Sequence, residues 1–241
     1  MKGFWVFIVL ATTLFFSIPY HVYLKQLSKK NQIKAWKKAR NYVSGFFKTE
    51  LRISGCKTII RGKANIPTDT PVLFVGNHRS YFDILVYHES IGLPLGFVAK
   101  KEMLRVPLLS LYMEDIGCLF LDRNDIKQGL QTISQGASYL KQGHSLVLFP
   151  EGTRNQKDEL LPFKEGGYKM AEKAKCPIVP VAISGSDLLL ESAPNKKIRK
   201  GKVIIEFGKP FIPSDMSPKE RKSKYAELPA IIQGMRATHN M

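Results

Sequence analysis

Gly3 to Tyr20 contains no charged residue, and twelve Lys/Arg between Lys25 and Lys63 stand against a single acid, Glu50. No other feature restricts the chain as strongly. The first segment, GFWVFIVLATTLFFSIPY, is apolar on every side and offers no polar face to water. A cleaved signal peptide, a buried core helix and a membrane anchor are three ways to accommodate it. It lacks a small-x-small cleavage site, and its flank is too basic for export. A core helix needs only one apolar stripe. The anchor fits best, either spanning or embedded in one leaflet, since about 20 apolar residues cross a bilayer core. Trp5, Tyr20 and Tyr23 lie near its ends, where amphipathic rings favour the headgroup level. Lys25, Lys29, Lys30, Lys34, Lys37, Lys38 and Arg40 follow at once. Their charge places the rest of the chain on the cytoplasmic side, against anionic lipid. Pro19 is placed to end or kink the helix.

Ile33, Trp36, Ala39, Tyr42, Val43, Phe46 and Phe47 recur at helical spacing among lysines. That is an amphipathic basic helix, which either lies in the membrane interface or packs on the following domain. The expected organisation is a membrane anchor plus basic helix over residues 1–50 and an α/β catalytic domain over 51–241. The net charge of +17 calls for an anionic partner: nucleic acid, a membrane surface or a phosphorylated substrate. The basic block abuts a lipid-soluble segment and holds no nucleic-acid motif, so a membrane with anionic lipids is expected and nucleic acid is not. Cys56, Cys118 and Cys176 are widely spaced, with no CxxC pair and no histidine at ligand spacing. A disulfide scaffold and a structural metal site are therefore not expected.

Beyond residue 50, short apolar runs alternate with helical patterns. Strands are expected at 58–60, 72–75, 96–99, 117–121, 145–149, 177–183 and 203–207. Helices are expected at 81–90, 108–115, 125–142 and 165–175, and the charged segment 215–225 is expected to begin a peripheral C-terminal helix. The alternation predicts an α/β fold with a mixed, largely parallel sheet flanked by helices, behind an N-terminal membrane-embedded helical segment.

Four strand ends bear reactive groups, and ligands of open α/β sheets bind outside such ends. Asn77-His78-Arg79-Ser80-Tyr81-Phe82-Asp83 follows the first central strand. Asp83 lies one helical turn past His78, close enough to fix the imidazole tautomer and leave the other nitrogen free to take a proton. No G-x-S-x-G elbow is present, so a substrate hydroxyl activated by His78 is the expected nucleophile. Lys100 and Lys101 end another strand. Gly117-Cys118-Leu119-Phe120-Leu121-Asp122-Arg123 brings Arg123 to the same rim. Phe149-Pro150-Glu151-Gly152-Thr153-Arg154 brings Glu151, an acceptor for a substrate hydroxyl or a partner for Arg154, and Arg154, which suits a phosphate. Alone, each reads equally as a surface ion pair or a cap. Together they give a base among phosphate-binding cations beside a membrane, which fits a phosphorylated lipid with a free hydroxyl.

These motifs carry a resemblance. N-H-x4-D at 77–83, G-x-x-F-x-D-R at 117–123, F-P-E-G-T-R at 149–154 and V-P-V-A-I at 179–183 stand in the order and spacing of the glycerolipid acyltransferases. The chain resembles the 1-acyl-glycerol-3-phosphate (lysophosphatidate) acyltransferases of that family over residues 71–185. Asn155 follows Arg154 where many members carry serine. The resemblance implies His78 as general base with Asp83 as its orienter. It implies a glycerol-phosphate site of Arg123, Glu151, Gly152 and Arg154, with Lys100 or Lys101 adding to it. It also implies acyl-CoA or acyl-acyl carrier protein as donor, a lysophospholipid acceptor, and neither metal nor cofactor. Gly152 N–H or the Asn77 region would hold the oxyanion, and an apolar groove within 104–111 would take the acyl chain.

Overall fold

The computed structural model describes residues 2–239. One seven-stranded sheet runs in the order β1-β7-β6-β2-β5-β3-β4. Its strands are β1 (Cys56–Arg61), β2 (Leu73–Gly76), β3 (Leu95–Lys100), β4 (Leu119–Leu121), β5 (Ser145–Leu148), β6 (Ile178–Ser184) and β7 (Gly201–Phe207). Every neighbouring pair is parallel except β6 with β7. The sheet is thus mixed and largely parallel, as the alternation predicts. β2, β3, β4, β5 and β6 share one direction, so their carboxyl ends open on one edge. β2 sits between β5 and β6 and is covered on both faces, which explains its unbroken apolar run.

Two apolar layers sandwich the sheet. Phe74 of β2 faces a layer with α3 (Gln32–Ser54) and α4 (Phe82–Ile91), including Val43, Val86 and Tyr87. Leu73 and Val75 face the other, with Leu140 of α6 (Ile126–Lys141), Met170 of α7 (Lys169–Ala174) and Leu228 of α8 (Pro218–Ala237). Asp125 caps α6 by accepting from Gln128 N–H. The expected helix over 165–175 is shorter. Gly166 and Gly167 weaken its first turn, which becomes a 3-10 turn ahead of α7. The C-terminal helix is not peripheral: Ser217 caps it, and Leu228 and Ile232 are fully buried.

The N-terminal run does not form one continuous helix. α1 (Lys2–Phe16) and α2 (Ile18–Lys30) meet at a 52° bend, with Pro19 in the first turn of α2. Among the described residues no single helix is long and apolar enough to cross a membrane. α1 has 15 residues, hence a length of about 22 Å against a bilayer core of about 30 Å. Phe4, Trp5, Phe7, Phe15 and Phe16 are exposed along it.

α3 shifts one expected boundary and decides between two alternatives. A boundary after residue 50 would cut this helix, which runs on to Ser54. Its apolar face is also spent on the protein, since Ala35, Trp36, Ala39 and Val43 are buried. Trp36 stacks on His144 with ring centroids 4.1 Å apart. Gly117, at φ 71°, makes the approach possible, because a Cβ there would lie 2.5 Å from His144 Nε2 and 2.7 Å from Trp36 Nε1. This is why the expected strand from Gly117 begins only at Leu119.

His144 donates to the Ile116 carbonyl at 3.1 Å, and burial lowers its pKa from 6.5 to about 3. Above pH 6.5 the histidine is neutral in both the folded and the unfolded chain, and the stability is whole. As pH falls below 6.5 the unfolded chain takes up a proton that the fold refuses until about 3. The wild type should therefore lose about 2 kcal/mol relative to His144→Gln between pH 6.5 and 5. Denaturant unfolding of both proteins at the two pH values measures this.

Candidate active site

The five carboxyl ends bring the motif residues to one rim. β2 ends at Gly76, and the chain turns through Asn77–Tyr81 into α4. Asn77 fastens the turn: its amide donates to Ile183 O at 2.9 Å and accepts from Ile183 N at 2.8 Å, bridging to β6. Asp83, in the first turn of α4, is fully buried. Its Oδ2 accepts from Arg79 N at 2.6 Å and Ser80 N at 2.9 Å, and lies 2.7 Å from His78 Nδ1. A buried carboxylate so placed keeps the proton on Nδ1 and leaves the Nε2 lone pair bare. The imidazole lies flat on Phe149, with centroids 4.1 Å apart and planes 10° from parallel. Tyr87 is buried edge-on to Phe149, and burial with the charges of Asp83 and Glu151 pushes its phenol well above the ordinary value. It stays protonated.

The turn after β5 differs from what its sequence suggests. Glu151 is buried and turned inward. It accepts from His78 N at 3.1 Å, Asn155 Nδ2 at 3.0 Å and Leu161 N at 3.0 Å. It therefore clips the 151–161 loop to the His78 turn instead of facing a ligand, and it does not pair with Arg154. Asn155 strengthens the clip by donating N–H to the His78 carbonyl at 2.8 Å. Gly152 stands at φ 76°, where a Cβ would come within 3.2 Å of the Arg123 guanidinium. Glycine here gives Arg123 its seat. Partial burial lowers the pKa of Arg123, with Glu102 opposing. The Gly152 N–H donates to Phe149 O at 3.0 Å, and the Asn77 amide is committed to Ile183. Both groups expected to hold an oxyanion are thus occupied.

Lys101 pairs with Asp122 at 3.2 Å beside the exposed Lys100, on the β3–β4 side of the rim. Arg154 lies over the Tyr81 ring, 3.7 Å from its centroid. Its Nη1 donates to Glu191 Oε1 at 3.1 Å.

Two acids that the sequence did not single out complete the site. Asp187 takes Arg79 through Nε at 2.7 Å and Nη2 at 2.9 Å. Burial works against the Arg79 charge, but Asp187 outweighs it and holds the guanidinium above its usual pKa. Glu191 accepts from Ser80 Oγ at 2.6 Å and Tyr81 N at 3.0 Å. Both acids lie past β6, more than 100 residues from their partners in the His78 turn, and no local spacing pattern announces them. The arrangement as a whole offers an imidazole with one nitrogen against a buried carboxylate, and cations at the mouth of the sheet.

The sequence profile of the Acyltransferase family matches residues 57–184. A chloroplastic 1-acyl-sn-glycerol-3-phosphate acyltransferase of Brassica napus is 32% identical over 174 residues, covering 71% of this chain and 50% of its own length. A probable 1-acyl-sn-glycerol-3-phosphate acyltransferase of Mycoplasma pneumoniae is 36% identical over 178 residues, 72% of this chain and 64% of its own length. The chain thus spans half to two thirds of these relatives. The crystal structure of the 1-acyl-sn-glycerophosphate acyltransferase of Thermotoga maritima shares the fold, with a TM-score of 0.71 and 24% identity over 100% of both chains.

Glu151→Ala strips three donors of their acceptor. It should cost about 3 kcal/mol of stability, read as a fall in melting temperature, while the acceptor KM of the folded fraction stays within threefold of wild type. A selective rise in that KM would return Glu151 to the ligand.

Proposed function

The chain belongs to the Acyltransferase family, and from that premise we propose that it acylates the sn-2 hydroxyl of lysophosphatidate to give phosphatidic acid for phospholipid synthesis. The observation that carries the reading is the 2.7 Å contact between His78 Nδ1 and buried Asp83, an arrangement that suits Nε2 to accept a proton. Nε2 takes the proton of the acceptor hydroxyl as its oxygen attacks the thioester carbonyl of acyl-CoA or acyl-acyl carrier protein. The tetrahedral intermediate expels the thiolate, which recovers the proton from the imidazolium. The products are the new ester and the free thiol. The step uses neither metal nor cofactor. Imidazolium forms beside the Asp83 carboxylate, which stabilises it.

Arg154 and Arg123 receive the acceptor phosphate, with Lys100 and Lys101 adding positive potential. Gly152 contributes by leaving room for Arg123. The exposed side chains of Leu104 and Val106 border the path of the acyl chain. α1 and α2 hold the enzyme in one leaflet, on the cytoplasmic face. This reading is supported by the exposed aromatic side chains of α1, a helix shorter than the bilayer core, and by the exposed Lys25, Lys29, Lys30, Lys34 and Lys37, which suit anionic headgroups.

Purified protein in detergent micelles should transfer a radiolabelled acyl group to lysophosphatidate in preference to glycerol-3-phosphate or lysophosphatidylcholine, with acyl-CoA and acyl carrier protein offered as donors in turn. His78→Ala should lower turnover at least a thousandfold. Activity within tenfold of wild type would remove His78 from the chemistry. Phe7→Glu with Phe16→Glu should release the protein from anionic vesicles in a flotation assay. Undiminished flotation would move the anchor elsewhere.

A further inference from the structure

Glu191 lies outside every motif and on no regular element, yet its carboxylate joins three parts of the site. Oε2 accepts from Ser80 Oγ at 2.6 Å. Oε1 accepts from the Tyr81 main-chain N–H at 3.0 Å and from Arg154 Nη1 at 3.1 Å. That last bond is the one hydrogen bond that Arg154 makes from its side chain to the protein among the described residues. The guanidinium is sandwiched laterally: Tyr81 lies beneath its plane at 3.7 Å, and Glu191 holds one edge. One third of the Arg154 side chain remains exposed, against 14% of the Glu191 side chain.

We propose that Glu191 is a positioning residue for the acceptor phosphate: it fixes the rotation of the Arg154 guanidinium over Tyr81, so that the remaining N–H groups point at the ligand. The inference rests on the reading of Arg154 as a phosphate-binding residue. A long arginine side chain loses much rotamer freedom when it binds a ligand. Glu191 settles that cost before the acceptor arrives, because an ion pair to a largely buried acid and a cation–π contact already select one rotamer. One of the five guanidinium N–H donors is committed to the protein, and a two-point grip on a phosphate stays open. The same carboxylate holds Ser80 and Tyr81, the residues immediately after Arg79 in the His78 turn. Glu191 thereby ties Arg154 to the turn that follows His78. Asp187, four residues earlier, anchors the same loop through Arg79 and through Ser192 Oγ at 2.8 Å. The loop is therefore fastened to the His78 turn through two acids.

The test is a double-mutant cycle on steady-state kinetics with lysophosphatidate. Glu191→Ala should raise the acceptor KM about tenfold, with kcat and the donor KM within threefold of wild type. Glu191→Gln, whose amide oxygen still accepts from Arg154 and Tyr81, should bring the KM back to within threefold. Arg154→Ala should raise the same KM, and adding Glu191→Ala to it should change the KM by less than twofold. A KM effect that multiplies with that of Arg154→Ala would overturn the proposal. So would a Glu191→Ala loss confined to kcat and melting temperature, which is what a merely structural loop residue gives. Wild-type protein that turns over lysophosphatidylcholine but no phosphomonoester acceptor would overturn the phosphate-site reading and this inference with it. Wild-type turnover of lysophosphatidate with multiplicative mutants overturns this inference alone.

Discussion

One carboxylate oxygen, Asp83 Oδ2, organises the reactive end of the sheet. It faces His78 Nδ1 and the main-chain N–H groups of Arg79 and Ser80. Those two amides lie in the turn ahead of α4, and Asp83, in the first turn of the helix, reaches back to accept from both. The residue that holds this turn in shape therefore also faces the imidazole. Burial makes the arrangement unforgiving, since a charge without water depends on these donors. The polarity of His78 and the shape of its turn cannot be altered separately.

Around this centre the charges divide their labour. Acids face inward and hold loops: Glu151 clips the loop after β5, Asp187 anchors Arg79, and Glu191 gathers Ser80, Tyr81 and Arg154. Cations stand at the mouth: Arg154 over Tyr81, Arg123 on Gly152, and Lys100 beside Lys101. Such a division gives an anion-attracting rim whose geometry is fixed before a ligand binds, which is where electrostatic catalysis gains most. The N-terminal helices complete the picture through α3, whose Trp36 locks onto His144 and Gly117 at the strand bearing Arg123. The N-terminal helices and the sheet are thereby packed together.

The strands and the His78–Asp83 pair were legible because they depend on short-range patterns. Apolar runs such as Leu73–Val75 can only be buried strands at that length, and a five-residue spacing across a strand-to-helix turn leaves Asp83 few directions. Three features were not legible. The inward turn of Glu151 depends on donors at Leu161 and Asn155, and FPEGTR has the same composition whichever way the carboxylate faces. Asp187 and Glu191 meet their partners only through the adjacency of β6 and β2, which local spacing does not encode. The burial of the α3 face was one of two outcomes consistent with its amphipathic pattern, and the complementary surface on His144, Tyr139 and Gly117 decided it. The break of the apolar run was foreshadowed by Pro19, which fits the first turn of a new helix.

The central claim is that His78 presents an unprotonated Nε2 because Asp83 holds the proton on Nδ1. Nitrogen-15 NMR of histidine-labelled protein in micelles at pH 8, assigned by loss of the signal in His78→Gln, reads the tautomer directly. The account predicts a protonated, pyrrole-type Nδ1 and a bare, pyridine-type Nε2 that shifts when lysophosphatidate is added. The reverse tautomer, with the proton on Nε2, would contradict it.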